Sequence, residues 1–572
     1  MLLCLFTLSL FLISNHFANP STPTLYIAVG GCCVFAFMVI VQRYKQQTLS
    51  LSLTEALLGG FLLFSIVYGA YSRSLNPEWI ITGVSLGLFY MVVKRINVTI
   101  EWLFAGLVFI GVVQAVYGLG QYVHWFSNIA ASGFRMSGSF DNPAGFAAAL
   151  SVCFPFALFL LHKKEIYWKI LGSLAVVLFI VAVVLSQSRA GVIAIIVISG
   201  IWMVKSLHLK GLNSWSSRTK IVSSAVLIIG ILVGLYYLKK DSADGRLLIW
   251  QCSARMIVEK PLLGHGEGGF QREYMLYQAN YFRNHTDSSY IMLADIVKHP
   301  FNEFLLLLVE HGLAGGLLFG TFIFLLIWEN RRNKNLERFY AMLCLVGVSL
   351  FACFSYPLSY PFVRLMMVFC AALIMQNEAG KWEMPKGIFS VLKPIVLSVS
   401  IALFIVNGKM YQDEYRWNTI AQQSLAGETK KVLPDYARLY KTMNRNGLFL
   451  YNYGSELNFI GEWNRSTAIL KECANFYNDI DLQLQLADNY TELKQYQNAE
   501  RCLILAHQMI PNRFMPLYHL VLLYKAMGEK QKAYSLAKEI IIKPVKIEST
   551  EITAIKYEMK IFLEYIKVKY KI

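Results

Sequence analysis

Long apolar runs alternate with short polar gaps over the first 407 residues of the chain. Each run holds roughly 17 to 25 mostly apolar residues, the length that an α-helix needs to cross a bilayer. The pattern therefore predicts an all-α, polytopic membrane protein with about thirteen transmembrane helices, at residues 2–19, 24–42, 52–71, 77–94, 100–123, 142–161, 167–186, 190–205, 220–238, 303–328, 338–356, 359–377 and 388–407.

The last part of the chain has a different character. Residues 408–572 are polar, charged and helical in pattern, so we expect two domains: a membrane domain at 1–407 with a large loop at 239–302, and a soluble domain at 408–572. Positions in this second domain recur 34 residues apart: Leu486, Ala487, Tyr490, Ala499, Leu503, Ala506 and Pro511 return as Leu520, Val521, Tyr524, Ala533, Ala537, Ile540 and, one place early, Pro544. This period resembles tetratricopeptide repeats, which implies a stacked scaffold that holds a polypeptide partner.

The amino-acid composition supports a membrane protein and argues against a nucleic-acid partner. Of the 572 residues, 56% are hydrophobic and 16% are charged, which excludes a set of soluble domains. The net charge of +17 does not indicate a nucleic-acid partner, because Lys and Arg fall mostly in the gaps between apolar runs. Basic clusters follow every even-numbered run, so the positive-inside rule predicts a cytoplasmic N-terminus, with the 239–302 loop and the tail on the outer face. The ten cysteines form no CxxC pair, and no metal site or cofactor is predicted.

The 239–302 loop is the longest polar interval between apolar runs. It contains Arg246, a glycine-dense turn around His265, and the segment His-Pro-Phe-Asn that leads into the next apolar run. Two shorter outer pieces add Arg135 and Arg189, and Asp141 is expected to cap the helix that begins at Pro143. Three arginines on one face, with no matching acidic cluster, suit a polyanion, since a guanidinium pairs with two phosphate oxygens.

These motifs carry a family resemblance. The ordered set R-x-x-G-x-F-x-N-P, S-R-x-G, R-x-x-x-W followed by P-L-L-G-x-G-x-G-x-F, and H-P-F-N-E-F-L resembles the O-antigen ligase and polymerase superfamily over roughly residues 50–377. The resemblance implies an inverting, metal-independent glycosyltransferase of the bacterial inner membrane, with a periplasmic tail. Its donor would be a glycan on undecaprenyl pyrophosphate.

The resemblance also implies roles for single residues. Arg189 and Arg246 would bind the donor pyrophosphate, and His299 would be the catalytic residue at the acceptor hydroxyl. Arg135 either joins the donor site or anchors its loop. Asn302, Gly312 and Gly315 match the family's Asn-x9-Gly-x-x-Gly helix start, although Pro300 and Phe301 separate His299 from Asn302, unlike in many relatives. The supporting residues would be Asn302, Glu303, Glu310 and His265.

Several functions fit these residues. The preferred prediction is en bloc transfer of the glycan to a lipid A core sugar or to a protein hydroxyl. A polymerase that extends the glycan on its carrier would use the same arginines. From another class, the chain could be a glycan-lipid transporter or a non-catalytic assembly scaffold. A transporter should show ionisable residues at the middle of the bilayer, whereas the polar groups here crowd one outer face.

Overall fold

The computed structural model describes residues 1–14, 17, 22–42, 50–72, 74, 76–96, 99–127, 133–206, 240–332, 335–376, 382–383 and 386–570. Within these ranges the regular structure is helical, apart from a two-residue antiparallel ladder that pairs Ser50–Leu51 with Trp382–Glu383. Contacts divide the chain into two compact units. The first unit comprises Met1–Leu238 and Phe301–Asn418, and the second comprises Lys239–Pro300 and Thr419–Ile572.

The α-helices are numbered in chain order over the described residues. They are α1 (Leu2–Phe11), α2 (Thr22–Gln42), α3 (Leu53–Tyr71), α4 (Pro77–Val93), α5 (Ile100–Tyr122), α6 (Pro143–Leu161), α7 (Ile166–Leu185), α8 (Arg189–Ser206), α9 (Lys240–Glu259), α10 (Gly269–Asn284), α11 (Glu303–Arg332), α12 (Leu336–Phe354), α13 (Pro361–Ile374), α14 (Lys386–Gln423), α15 (Thr429–Met443), α16 (Gly447–Phe459), α17 (Trp463–Cys473), α18 (Ile480–Glu492), α19 (Tyr496–Met509), α20 (Met515–Met527), α21 (Lys530–Ile542) and α22 (Thr550–Tyr570).

The helices of the first unit follow the predicted apolar runs. Among the described residues, eight helices are long and apolar enough to cross a membrane: α2, α3, α5, α6, α7, α11, α12 and the helix that begins in α14. Shorter apolar helices are α1, α4 and α13. The ninth predicted run, 220–238, lies outside the described residues. The polytopic, helical fold class is thus confirmed.

The first helix is shorter than predicted. It ends at Phe11 rather than continuing to residue 19, and ten residues rise only about 15 Å, half the thickness of the hydrocarbon layer. Phe6 is fully buried, and its ring centroid lies 5.6 Å from that of Phe369 on α13. The helix therefore packs into the core of the first unit.

That core is organised around α6. Every residue of α6 from Gly145 to Leu160 is buried. Its small residues let neighbouring helices approach closely: a Cβ atom on Gly191 of α8 would lie 2.8 Å from the Cβ of Ala147. The central helix is thus also the one that begins at the Asn142-Pro143 motif.

Helix α11 is broken near its start. Gly312 has φ 60° and ψ −162°, a backbone conformation that a residue with a Cβ rarely adopts. Gly315 follows the break, and a Cβ there would lie 2.3 Å from the Cβ of His311. The paired glycines of the Asn-x9-Gly-x-x-Gly motif therefore allow the kink and the close packing behind it.

The second unit combines the large loop with the tail. Its tail helices pack as consecutive pairs: α16 with α17, α18 with α19, and α20 with α21. Apart from its two prolines, the residues of the 34-residue period are buried, so they mark the packing positions of these pairs. The predicted domain boundary at 407/408 falls inside α14, and residues of the 239–302 loop group with the tail rather than with the membrane helices.

Candidate active site

Asn142 forms the N-cap of α6 in the first unit. Its Oδ1 accepts hydrogen bonds from the backbone N–H groups of Ala144 and Gly145, both at 2.9 Å. The expectation that Asp141 caps this helix is wrong, because the Asp141 carboxylate instead accepts a hydrogen bond from the Asn142 side chain at 3.0 Å. Both the oxygen and the nitrogen of the Asn142 side-chain amide are therefore hydrogen-bonded.

Two tyrosines from a distant part of the chain hold the same asparagine. The Nδ2 of Asn142 donates to the hydroxyl oxygens of Tyr356, at 3.0 Å, and Tyr360, at 2.7 Å. Tyr360 is buried, and its ring packs edge-on against Phe140 with 5.0 Å between centroids. The motif before α6 is therefore held by the segment between α12 and α13, which the sequence motifs do not include.

The start of α11 is tied to that same segment. Asn302 caps the helix by accepting a hydrogen bond from the Leu305 N–H at 3.0 Å. Glu303, one residue on, accepts a hydrogen bond from the Leu358 N–H at 2.9 Å, and Arg364 donates from Nε to the Leu358 carbonyl at 2.7 Å. The helix starts of α6, α11 and α13 thus share one set of polar contacts.

We call these residues the helix-start cluster: Asn142, Glu303, Tyr356, Tyr360 and Arg364. Sequence reasoning missed three of them, Tyr356, Tyr360 and Arg364. Two signals were available: a Tyr-Pro dipeptide occurs twice within six residues, and Arg364 is a cation inside an apolar run.

Arg189 occupies the first turn of α8. The Ser188 side chain accepts from the Gly191 N–H at 3.4 Å, so Ser188 caps the helix and Arg189 follows directly. A cation at a helix N-terminus opposes the helix dipole, and helix stability therefore does not explain it. The same position places a guanidinium beside N-terminal N–H groups, an arrangement suited to an anion.

Arg135 lies at the edge of the first unit. It is exposed, and its guanidinium stacks over the ring of Tyr122 at 4.8 Å from the centroid. The turn that follows it is held by buried Gln121, which accepts from the Gly138 N–H at 2.7 Å and donates to the Gly138 carbonyl at 2.9 Å. This contact fits a loop anchor, one of the two roles predicted for Arg135.

Glu310 and His311 are buried just before the kink in α11. Rings from α3 and α4 surround His311: the centroid of Phe61 lies at 5.1 Å and that of Trp79 at 5.9 Å. Glu310 carries an ionisable group into an apolar helix, where such a group is costly and commonly functional.

In the second unit, Arg246 and His299 belong to segments that touch. Arg246 and Trp250 lie four residues apart on α9 and share a helix face. The indole Nε1 of Trp250 donates to the carbonyl oxygen of Pro300 at 2.9 Å. This bond explains the spacing R-x-x-x-W, since the tryptophan connects the helix of Arg246 to the residue next to His299.

The environment of His299 keeps its ring neutral. Burial and the positive charge of Lys298 lower the pKa of His299 from 6.5 to about 4. At neutral pH the imidazole therefore carries no charge and retains a lone pair that can accept a hydrogen bond.

His265 is built into the glycine-dense turn of the same unit. Its Nδ1 lies 2.6 Å from the Glu273 carboxylate and its Nε2 lies 2.9 Å from the Met256 carbonyl. Burial would raise the pKa of Glu273, but hydrogen bonds from His265 and Arg272 outweigh it and lower the pKa to about 2. Both ring nitrogens of His265 are thus engaged, which fits the supporting role predicted for it.

The fold and these clusters define a polytopic helical membrane protein with a large polar loop. Comparison with known families then identifies the domain: residues 174–320 match the family model described as O-antigen ligase. The match covers 147 of the 572 residues and supports the superfamily resemblance of the motifs, a family of membrane glycosyltransferases of the ligase or polymerase type. No curated protein matches the chain.

Proposed function

We propose that the protein transfers a glycan en bloc from undecaprenyl pyrophosphate to an acceptor hydroxyl at the periplasmic face of the bacterial inner membrane. The observation that carries this proposal is the hydrogen bond from Trp250 to Pro300, which joins the helix of Arg246 to the segment of His299. A permanent cation and a neutral imidazole are the two groups that such a transfer needs, one for the leaving group and one for the nucleophile.

Arg246 serves the leaving group. When the bond between the anomeric carbon and the phosphate oxygen breaks, the electron pair stays on the pyrophosphate and its negative charge grows. A preorganised guanidinium aimed at that charge lowers the barrier by roughly 3 to 4 kcal/mol. The motif resemblance also assigns Arg189 to pyrophosphate binding, and its position at the start of α8 suits an anion. Because the arginines neutralise the charge, the proposed mechanism uses no metal.

His299 serves the acceptor. Its neutral imidazole accepts a hydrogen bond from the incoming hydroxyl and takes its proton as the new glycosidic bond forms. A pKa of about 4 makes it a weak base, so its main contribution is to orient the hydroxyl until the leaving group has begun to depart. Attack from the face opposite the pyrophosphate inverts the anomeric centre.

The acceptor is a lipid A core sugar or a protein hydroxyl. The paired helices of the tail support a protein acceptor, because stacks of this kind commonly hold polypeptide.

The test uses purified full-length protein in lipid nanodiscs with a synthetic undecaprenyl-pyrophosphate oligosaccharide. Lipid A core and a serine-rich protein are offered in parallel to wild type, Arg246→Ala, His299→Ala and the control Arg283→Ala. Arg283 is an exposed arginine of the same loop that donates to Asn280 at 2.6 Å.

Glycan on one acceptor, lost in the first two variants and kept in the control, would support the proposal. Longer glycan still on its carrier would replace it with a polymerase. Equal behaviour of all four proteins would refute the roles of Arg246 and His299.

A further inference from the structure

The segment that leads to His299 has little regular structure of its own. Between the end of α10 at Asn284 and Pro300, the described secondary structure is one short 3₁₀ helix, Ile291–Leu293. A stretch of this kind holds a side chain in place only when other parts of the protein bind its backbone.

The tail supplies those bonds. The buried side chain of Asn512, 6% exposed, donates from Nδ2 to the carbonyl oxygens of Ile291 and Ala294, both at 2.8 Å. Asn512 lies in the turn between α19 and α20. One tail side chain thus fixes two points of the backbone shortly before His299.

A second buried amide bonds the loop to the tail, and here the loop residue is the donor and the acceptor is the last residue of α19. Gln278 on α10 is fully buried and donates from Nε2 to the carbonyl of Met509 at 2.7 Å. Its Oε1 accepts from the Tyr274 hydroxyl at 2.9 Å, so the amide is satisfied at both ends. Breaking such a bond leaves a buried carbonyl without its donor, which costs more than the bond itself contributes.

Charged contacts surround these bonds at the surface. Arg513 lies 3.1 Å and Lys546 3.6 Å from the carboxylate of Asp295. Both pairs are solvent-exposed and contribute little to stability. Lys546 also donates from Nζ to the Ala294 carbonyl at 3.3 Å, beside the shorter bond from Asn512. The two buried amides therefore make the closest contacts between tail and loop.

An asparagine also occupies the position equivalent to Asn512 in the preceding turn of the tail. The residue 34 positions earlier, at the preceding turn between α17 and α18, is Asn478. Asn478 is equally buried, but its Oδ1 accepts from Gln483 at 2.9 Å, inside the tail. An asparagine at this repeat position can therefore be satisfied within the tail, so the repeat does not by itself explain why Asn512 bonds to the loop.

We infer that the tail is an intramolecular clamp on the loop, and that Asn512 is a positioning residue for His299. The catalytic part of this inference rests on the proposed function, whereas the structural part does not. On this account the tail belongs to the catalytic machinery, and removing or loosening it slows the chemical step while the arginines still hold the donor.

Hydrogen exchange of the full-length protein tests the clamp without any substrate. Asn512→Asp keeps the size of the side chain but removes both donors and places a carboxylate against two carbonyls. We expect amides of residues 286–298 to exchange about tenfold faster or more, since both hydrogen bonds from Asn512 are lost. Asn478→Ala and Asn498→Ala, a half-buried asparagine elsewhere in the tail, should leave that segment unchanged. Unaltered exchange in Asn512→Asp, or an equal rise in Asn478→Ala, would overturn the clamp.

The transfer assay then tests the catalytic part. We expect Asn512→Asp to lower kcat about tenfold at an unchanged KM for the lipid-linked donor. Faster exchange with an unchanged kcat would overturn the positioning role while leaving the proposed function intact. If wild type shows no transfer to any acceptor, the proposed function fails, and the exchange result still decides the clamp.

Discussion

The helix-start cluster of the first unit and the clamp of the second unit hold residues of the sequence motifs in different ways. In the first, Asn142 and Glu303 are held by side chains and backbone of one short segment, Tyr356–Arg364. In the second, the loop before His299 is held by a turn of the tail more than 200 residues later in the chain. In both, the residues that position the motif lie outside the motif.

The largest effect should come from the loop arginine. We expect Arg246→Ala to lower the transfer rate by roughly 10²- to 10³-fold, the loss seen when one preorganised donor to developing charge is removed. Arg246→Lys should recover only part of it, because an ammonium cannot form the planar pair with phosphate oxygens. Initial rates with the lipid-linked oligosaccharide measure this, and full activity in the alanine variant would exclude a role in the leaving-group step.

A smaller loss should follow from disturbing the helix-start cluster. Arg364→Met removes the donor to the Leu358 carbonyl, so the backbone that binds Glu303 loses one of its two anchors. We expect the transfer rate to fall about tenfold, with Arg364→Lys intermediate. Arg331→Met, an exposed arginine at the end of α11, is the matched control. Equal rates for Arg364→Met and wild type would show that the cluster only stabilises the fold.

The tyrosines should act mainly on stability. Tyr360→Phe removes a hydroxyl that accepts from Asn142 at 2.7 Å, while the Tyr356 hydroxyl remains. We expect the free energy of unfolding to drop by about 1 kcal/mol, with the transfer rate nearly unchanged. Thermal unfolding in nanodiscs measures the difference, with the exposed Tyr557→Phe as the control. A large loss of rate without loss of stability would instead give this hydroxyl a part in the chemistry.

The smallest effect concerns pH. The pKa of His299 is lowered to about 4, first by burial and second by Lys298, so the active neutral ring persists at neutral pH and is lost as pH falls through about 4. Lys298→Met removes the second cause and raises this pKa, so the acidic fall in rate should move to higher pH by a fraction of a unit. Lys538→Met, far along the tail, should leave the profile in place. If the fall in rate at acidic pH moved to lower pH instead, its assignment to protonation of His299 would be contradicted.

The sequence predicted the elements better than their contacts. Apolar runs and the 34-residue period are local patterns, and both reappear as helices and as the buried positions of helix pairs. The glycines at 312 and 315 were recognised as a motif, but the kink at Gly312 was not, because a glycine in an apolar run also fits an unbroken helix.

Residues that act across long separations were missed. No sequence motif included Asn512, and the loop was assigned to the membrane domain although residues 239–300 group with the tail. Nothing in the residues near Asn512 indicates a partner more than 200 positions earlier. Arg364 stands out in the sequence as a cation within an apolar run. Its role could not be inferred there, because it depends on the contact with the Leu358 carbonyl that only the structure shows.

The most direct test of the central claim is a double-mutant cycle of Arg246→Ala and His299→Ala, with transfer rates measured under single-turnover conditions. Groups that act together in one transition state are strongly non-additive. We predict that the double variant transfers glycan no more than about threefold more slowly than the slower single variant. A double variant that shows the full product of the two losses would contradict a shared site for Arg246 and His299.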